Sequence, residues 1–104
     1  MSAARFLRQV AAGALTVNAV PHAVSALRGQ PFPTPFADPP GRGLSSPAAN
    51  IVWAAMNLAG AALLRRRPTA TSARVAFGLG GLGMAFAVAQ YFASVPAVHG
   101  KRGR

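Results

Sequence analysis

Two stretches of this chain, Pro47–Leu64 and Val75–Val98, carry no charged residue on any face. A helix folded in water keeps a polar face toward solvent, whereas one that is apolar all round belongs in a core or a membrane. At 104 residues the chain is at most one domain, and a soluble three-helix bundle would need polar faces that these stretches lack. A third apolar run, Val10–Leu27, is bounded by Arg8 and Arg28. At ~1.5 Å per residue it reaches about 27 Å, just enough to cross the hydrocarbon core of a bilayer. The sequence therefore predicts an all-α membrane protein with three transmembrane helices, at about 10–27, 47–64 and 74–95.

Charge distribution agrees with this. Eleven basic residues, ten of them Arg, face a single acid, Asp38, for a net charge of +10. The Arg residues cluster at the ends of apolar runs, and Phe6 between Arg5 and Arg8 is the one aromatic residue interleaved within those clusters. That pattern argues for anionic lipid headgroups at span boundaries and against nucleic acid. The chain has no cysteine, which excludes disulfides, thiolate metal sites and Cys nucleophiles. Arg5 and Arg8 before Val10–Val20 resemble the start of a signal peptide, with Val24-Ser25-Ala26 as a conceivable cleavage site. The apolar run exceeds signal-peptide length, so a retained anchor helix is the expected form.

Three spans put the N-terminus and the Arg65–Arg74 connection on one side. The segment 28–46 and a basic tail, 100–104, lie on the other. Six Arg face five basic residues across the membrane, a weak bias. The dense Arg65-Arg66-Arg67 block adjoining a span favours the cytoplasm for its side. A bacterial inner membrane is the expected location.

Pro47 fits the first helical position and Ser46 the N-cap of the second span. The short connection after Leu64 predicts that the second and third spans pack as an antiparallel hairpin. Gly81 with Ala85, and Ala55 with Ala59, are small-xxx-small pairs suited to close helix contact, within an oligomer or against a partner membrane protein. Pro96 is expected to stop the third span.

Polar residues inside the spans are the candidate functional groups. Asn18, His22 and Ser25 share one helix face, and Asn50, Trp53 and Asn57 share another. Gln90 and Tyr91 are further candidates. Such groups normally face the bundle interior and find partners there. They can serve as hydrogen-bonding glue, with Asn57 pairing to Asn18 or His22. Alternatively His22 can meet a haem iron, a metal or a quinone carbonyl. His99 falls on the same side but beyond its helix end, so a bis-His site lacks a second ligand at membrane depth. No span holds a carboxylate, no Ser has a suitably placed acid, and the Gly78–Gly83 run follows no strand. An enzyme is not expected.

The segment 28–46 is too long for a simple helix connection and alternates Pro with Phe. Prolines stiffen the backbone and reduce the entropy cost of ordering it. Phe32 and Phe36 are expected to anchor the loop at the headgroup boundary or at the outer end of the bundle. Asp38 is expected to pair with Arg42 or Arg28, and the helix start at Ser46–Ala49 beside Arg42 could hold a lipid phosphate. Such a loop either seals the bundle or presents a docking surface. The pattern Gly29-x-Pro31-Phe32-x-Thr34-Pro35-Phe36-Ala37-x-Pro39-Pro40-Gly41-x-Gly43-x-Ser45-Ser46, followed by Asn50-x-x-Trp53 and preceded by Pro21-His22, resembles a family of small bacterial membrane proteins of unknown function. The match runs from about Asn18 to Leu64, and its loop is the specific part. This resemblance implies location and loop order, not an activity or cofactor.

Two functional readings follow. The first is a non-enzymatic accessory or interaction subunit of a membrane assembly, without cofactor. The second is a ligand-binding or transport component, using the Asn18/His22/Asn57 face for a quinone, haem or small solute.

Overall fold

The computed structural model describes residues 1–66 and 70–100. These form helices α1 (Ala3–Leu27), α2 (Pro47–Arg65), α3 (Thr71–Ala93) and a short α4 (Pro96–Gly100). The first three are long and apolar enough to cross a membrane. Arg67–Thr69 and the expected basic tail beyond Gly100 lie outside the described residues.

Two helix boundaries differ from expectation. α1 starts at Ala3 rather than Val10, because the Ser2 side chain accepts from the Arg5 N–H at 3.2 Å and caps the helix early. At ~1.5 Å per residue its 25 residues span about 37 Å, so the Arg5 and Arg8 end overhangs a ~30 Å hydrocarbon core. The helix runs on through Pro21. α3 ends at Ala93, where the Ser94 N–H turns back to the Tyr91 carbonyl. Pro96 opens α4 rather than merely ending α3, with Val95 fully buried between them.

The expected α2–α3 hairpin does not form. Both helices pack on α1 and not on each other, α2 antiparallel to it and α3 parallel. The reason lies on α1, which offers a different surface to each neighbour. Toward α3 it offers Gly13: a Cβ there would collide with the Phe77 carbonyl oxygen. A Cβ on Gly80 would likewise collide with the Val10 carbonyl oxygen. The two backbones touch, as small residues permit in a membrane. Toward α2, α1 offers Asn18 and His22, which bond to α2 side chains.

Arg65, at the far end of α2, does reach across. Its guanidinium carbon lies 3.8 Å from the centre of the Phe77 ring, a cation–π contact. The Gln9 side-chain amide donates to the Arg65 carbonyl at 3.0 Å, tying α1 to the same corner.

The bundle is polar and small inside, large and apolar outside. Its buried apolar residues are mostly alanines, among them Ala12, Ala19, Ala54, Ala61 and Ala76. Buried polar residues include Gln9, His22, Asn50 and Asn57. Leu63, Leu82 and Phe86 are 77%, 73% and 70% exposed. In water such a surface would be an aggregation hazard. In lipid it is the solvated face, and the close-packed small interior is what holds helices together there.

Of the predicted packing residues only Gly81 is buried. Ala55, Ala59 and Ala85 all face outward. α2 instead buries Asn50, Ala54, Asn57 and Ala61, and α3 buries Ala73, Ala76, Gly80 and Gly81.

Candidate functional site

A chain of hydrogen bonds joins α1 to α2. The Asn18 amide donates to Asn57 Oδ1 at 3.1 Å, and Asn57 Nδ2 donates to the Trp53 carbonyl at 2.8 Å. One turn further along α1, His22 Nδ1 lies 2.8 Å from Asn50 Oδ1. Asn50 Nδ2 faces three backbone carbonyls: Phe32 at 2.9 Å, Ser46 at 3.1 Å and Ser45 at 3.3 Å.

Carbonyl oxygens only accept, so these contacts fix which way each amide points. Asn50 must turn its NH₂ toward the carbonyls and its Oδ1 toward His22. The imidazole then donates through Nδ1, and in its neutral form Nε2 keeps a lone pair. By the same logic Asn57 turns its Oδ1 to Asn18, and Asn18 turns its NH₂ to Asn57. Asn18 Oδ1 and His22 Nε2 are left without a hydrogen-bond partner among the described residues.

Asn50 also closes the loop. Phe32 and Ser45 form an antiparallel bridge, with paired backbone bonds of 3.2 and 3.0 Å. Both bridge carbonyls also receive Asn50 Nδ2, so the base of the loop hangs on one side chain. Within the loop, the Thr34 and Ser45 hydroxyls lie 2.6 Å apart, and the Thr34 carbonyl accepts from both Ala37 and Gly41. Gly41 has φ +73°, a conformation side chains rarely adopt. Its carbonyl accepts from the Tyr91 hydroxyl at 2.8 Å, fastening the loop to α3. Ser46 caps α2, its Oγ accepting from the Ala49 N–H, with Pro47 in the first turn.

The two loop phenylalanines have different surroundings. Phe32 is 5% exposed and sits among rings, 4.6 Å from Phe92 and 5.3 Å from His22, centre to centre. Phe36 is 53% exposed and only leans edge-on against Trp53 at 5.5 Å. Phe32→Ala is accordingly expected to destabilise the detergent-solubilised protein by ~3 kcal/mol, and Phe36→Ala by at most ~1 kcal/mol. Thermal unfolding followed by helicity checks this, and an equal loss for both would refute the asymmetry.

Beneath the loop, α1 forms the floor of a cleft of about 300 Å³ between α2 and α3. Asn18 and His22 lie on the floor, Trp53 on one wall, Met84, Val88 and Phe92 on the other, and Pro33 and Pro35 at the loop edge. The cleft exists because α2 and α3 both pack on α1 and not on each other. The loop contributes a rim to it through Pro33, Thr34, Pro35 and Gly41.

Several expected placements are corrected. Gln90 is exposed and takes no part in the polar network, whereas Tyr91, one residue on, holds the loop. Ser25 is buried at the loop entrance, its carbonyl accepting from the Gln30 N–H, one turn beyond the cleft floor. Asp38 pairs with neither Arg42 nor Arg28 among the described residues. It is exposed, before a cis bond to Pro39. Arg42 donates instead to the Ser94 carbonyl at 3.3 Å, at the carboxyl end of α3. His99 Nε2 contacts the Phe92 carbonyl at 3.2 Å and lies outside the cleft lining. Among the described residues no three His, Cys, Asp or Glu side chains gather as a metal site.

Sequence reasoning placed Asn50 among the candidates without its partners and left two contributors, Gly13 and Thr34, out of the site. Asn50 stood on the right face at i and i+7 to Asn57. Gly13 is the only glycine in α1, a signal open to reading. Thr34 gave none, because its role depends on the loop's fold.

Comparison with protein-family models, curated proteins and solved structures found no match to the chain in any of the three.

Proposed function

We propose that this is a small, non-enzymatic multi-pass protein of a bacterial cell membrane that holds a lipophilic small molecule in the cleft between α2 and α3. The observation that carries this reading is His22: it is 2% exposed, yet its Nε2 has no protein partner and it lines an open, mainly apolar cleft. Nε2 is not among the fully enclosed unpaired atoms, so it is open to the cleft, and an acceptor presented to an apolar cavity is a site for a ligand donor. Ligand pockets characteristically combine apolar walls with a few convergent polar groups. With exposed apolar side chains on the outer surfaces of α2 and α3, the cleft opens toward lipid, and its ligand would enter from the bilayer. Prolines along the rim keep the loop edge stiff and the entrance defined.

The test uses Trp53, the only tryptophan in the chain and part of the cleft wall. A long-chain bromoalkane should quench its fluorescence saturably in lipid nanodiscs. Val88→Phe, which fills the cleft, should weaken that quenching by at least about tenfold, ~1.4 kcal/mol. Quenching that rises linearly with bromoalkane content and ignores Val88→Phe would mean simple partitioning, and would refute the cleft as a binding site.

A second reading, an accessory subunit of a membrane assembly, is supported by a different observation. Ala55, Ala59 and Ala85 face outward, and nothing lies within 4 Å of a Cβ built at Gly78 or Gly83. Small residues on a lipid-facing surface suit a neighbouring helix, from a second copy or a partner chain. The two readings are compatible, since these surfaces and the cleft do not overlap. The resemblance of the loop pattern to small bacterial membrane proteins of unknown function is compatible with either.

A further inference from the structure

We infer that the cleft selects a lipophilic compound through a free hydroxyl group, in preference to the carbonyl, ether or ester of an otherwise similar molecule. The inference rests on the ligand-binding reading and specifies its chemistry.

The hydrogen-bond chain decides what the site can accept. Asn50 Nδ2 is committed to backbone carbonyls, so its Oδ1 takes the Nδ1 proton of His22. Nε2 of the neutral ring is therefore an acceptor and can only be satisfied by a donor. Asn57 Nδ2 is committed to the Trp53 carbonyl, so Asn18 spends one amide hydrogen on Asn57 Oδ1. Asn18 keeps its Oδ1 and a second amide hydrogen. His22 and Asn18 are four residues apart on one helix, with side chains about 6 Å apart at Cβ, so both can reach one ligand oxygen. A hydroxyl meets both demands at once. Its proton goes to Nε2, and its oxygen accepts the spare Asn18 hydrogen. A ketone, ether or ester oxygen can satisfy Asn18 but leaves Nε2 unpaired. A cation finds no carboxylate here, since the sole acid, Asp38, is an exposed loop residue.

The surroundings fit the same ligand class. Phe32, Trp53 and Phe92 stand around the imidazole with ring centres 5.3, 6.3 and 6.1 Å away, all close to perpendicular. They exclude water from the imidazole while the cleft leaves room for a ring or chain. An aromatic hydroxyl, as in a reduced quinone, and an aliphatic one, as in a diacylglycerol, share this chemistry: an apolar body bearing a free O–H.

Four probes separate these cases: an alkylphenol with a terminal bromine, the matching bromoalkanol, and the methyl ether of each. Quenching of Trp53 in nanodiscs is titrated for all four. Each hydroxyl compound should half-saturate at about tenfold lower concentration than its own ether, the effect of one buried hydrogen bond left unmade. The tighter of the two hydroxyl probes tells an aromatic source from an aliphatic one. In His22→Phe, which keeps a ring in the aromatic setting, the preference over the ether should vanish. Equal affinity of each alcohol and its ether in the native protein would overturn the inference and leave the cleft reading standing, as would a preference that survives in folded His22→Phe. No saturable quenching by any probe would overturn both. The native comparison needs no variant, so a His22→Phe protein that fails to fold does not blunt the test.

Discussion

Gly80→Val and Gly13→Val are each expected to separate α1 from α3 and to cost ~3 kcal/mol or more. An added Cβ would meet helix backbone at both positions. At Gly80 it is the Val10 backbone carbonyl, and at Gly13 the Phe77 carbonyl together with the Gly81 nitrogen. Overpacking against a flexible side chain costs ~1–3 kcal/mol because the neighbour can turn aside. A helix backbone cannot turn aside, so the two helices must move apart along their whole contact. That opens the floor of the cleft and withdraws Phe92 and Tyr91 from His22 and the loop. Gly78 and Gly83, with nothing within 4 Å of their Cβ positions, supply the internal control. Alanine at either should leave stability unchanged or raise it slightly, by up to ~1 kcal/mol of helix propensity. Helicity followed through an SDS titration measures all four. Equal losses at Gly78 and Gly80 would mean that the α1–α3 contact is not where the fold is held.

This contrast also explains why helix pairing was hard to read from the residues. α3 has four glycines in six positions, on nearly every face. Each offers a plausible close contact, so α3 by itself cannot say which one is used. The selector is Gly13 on α1, far away in sequence. The short Arg65–Ala73 connection pointed to an α2–α3 hairpin by proximity. Proximity in the chain lost to surface chemistry, since α1 alone offers a glycine contact on one side and amide partners on the other.

Elements governed by local chemistry were legible. The uncharged runs located the three long helices, and Ser46-Pro47 located the start of α2 by its side-chain cap. The i and i+4 spacing brought Asn18 and His22 to one face, and both line the cleft. Single-residue errors arose where the helix phase had nothing to fix it. Gln90 and Tyr91 are about 100° apart on the helix, and only the position of the Gly41 carbonyl decides between them. The charge argument for Asp38 failed for a related reason. In an exposed loop an ion pair gains little over water, and the Arg42 guanidinium finds a better site at the carbonyl end of α3.

Asn50→Leu is the substitution that should most directly connect the bundle to the loop. Leucine keeps the branching of asparagine but is larger, so some overpacking at this fully buried site adds to the loss of hydrogen bonds. The Phe32, Ser45 and Ser46 carbonyls lose a donor, and His22 Nδ1 loses its acceptor. Each buried polar group left unpaired costs ~1–3 kcal/mol, although Phe32 and Ser45 retain their mutual bridge and Ser46 O keeps the Asn50 backbone N–H. The expected total is about 3 kcal/mol, concentrated at the loop base. The bundle should persist, because α1 and α3 are held by Gly13 and Gly80 and α1 and α2 still share the Asn18–Asn57 bond. Loop release without unfolding has its own signature. Trypsin should cut after the exposed Arg42 at least about tenfold faster than in the native protein, while helicity at room temperature is retained, as expected for a local opening made cheaper by ~1.4 kcal/mol or more. The His22 ring, freed from Asn50, would also lose its fixed tautomer, and with it the acceptor offered to the cleft. Asn57→Leu, by contrast, should weaken the α1–α2 seam while leaving the tryptic rate at Arg42 near native. Matching accelerations in the two variants would mean that the loop responds to bundle stability as a whole, and that Asn50 has no special hold on it.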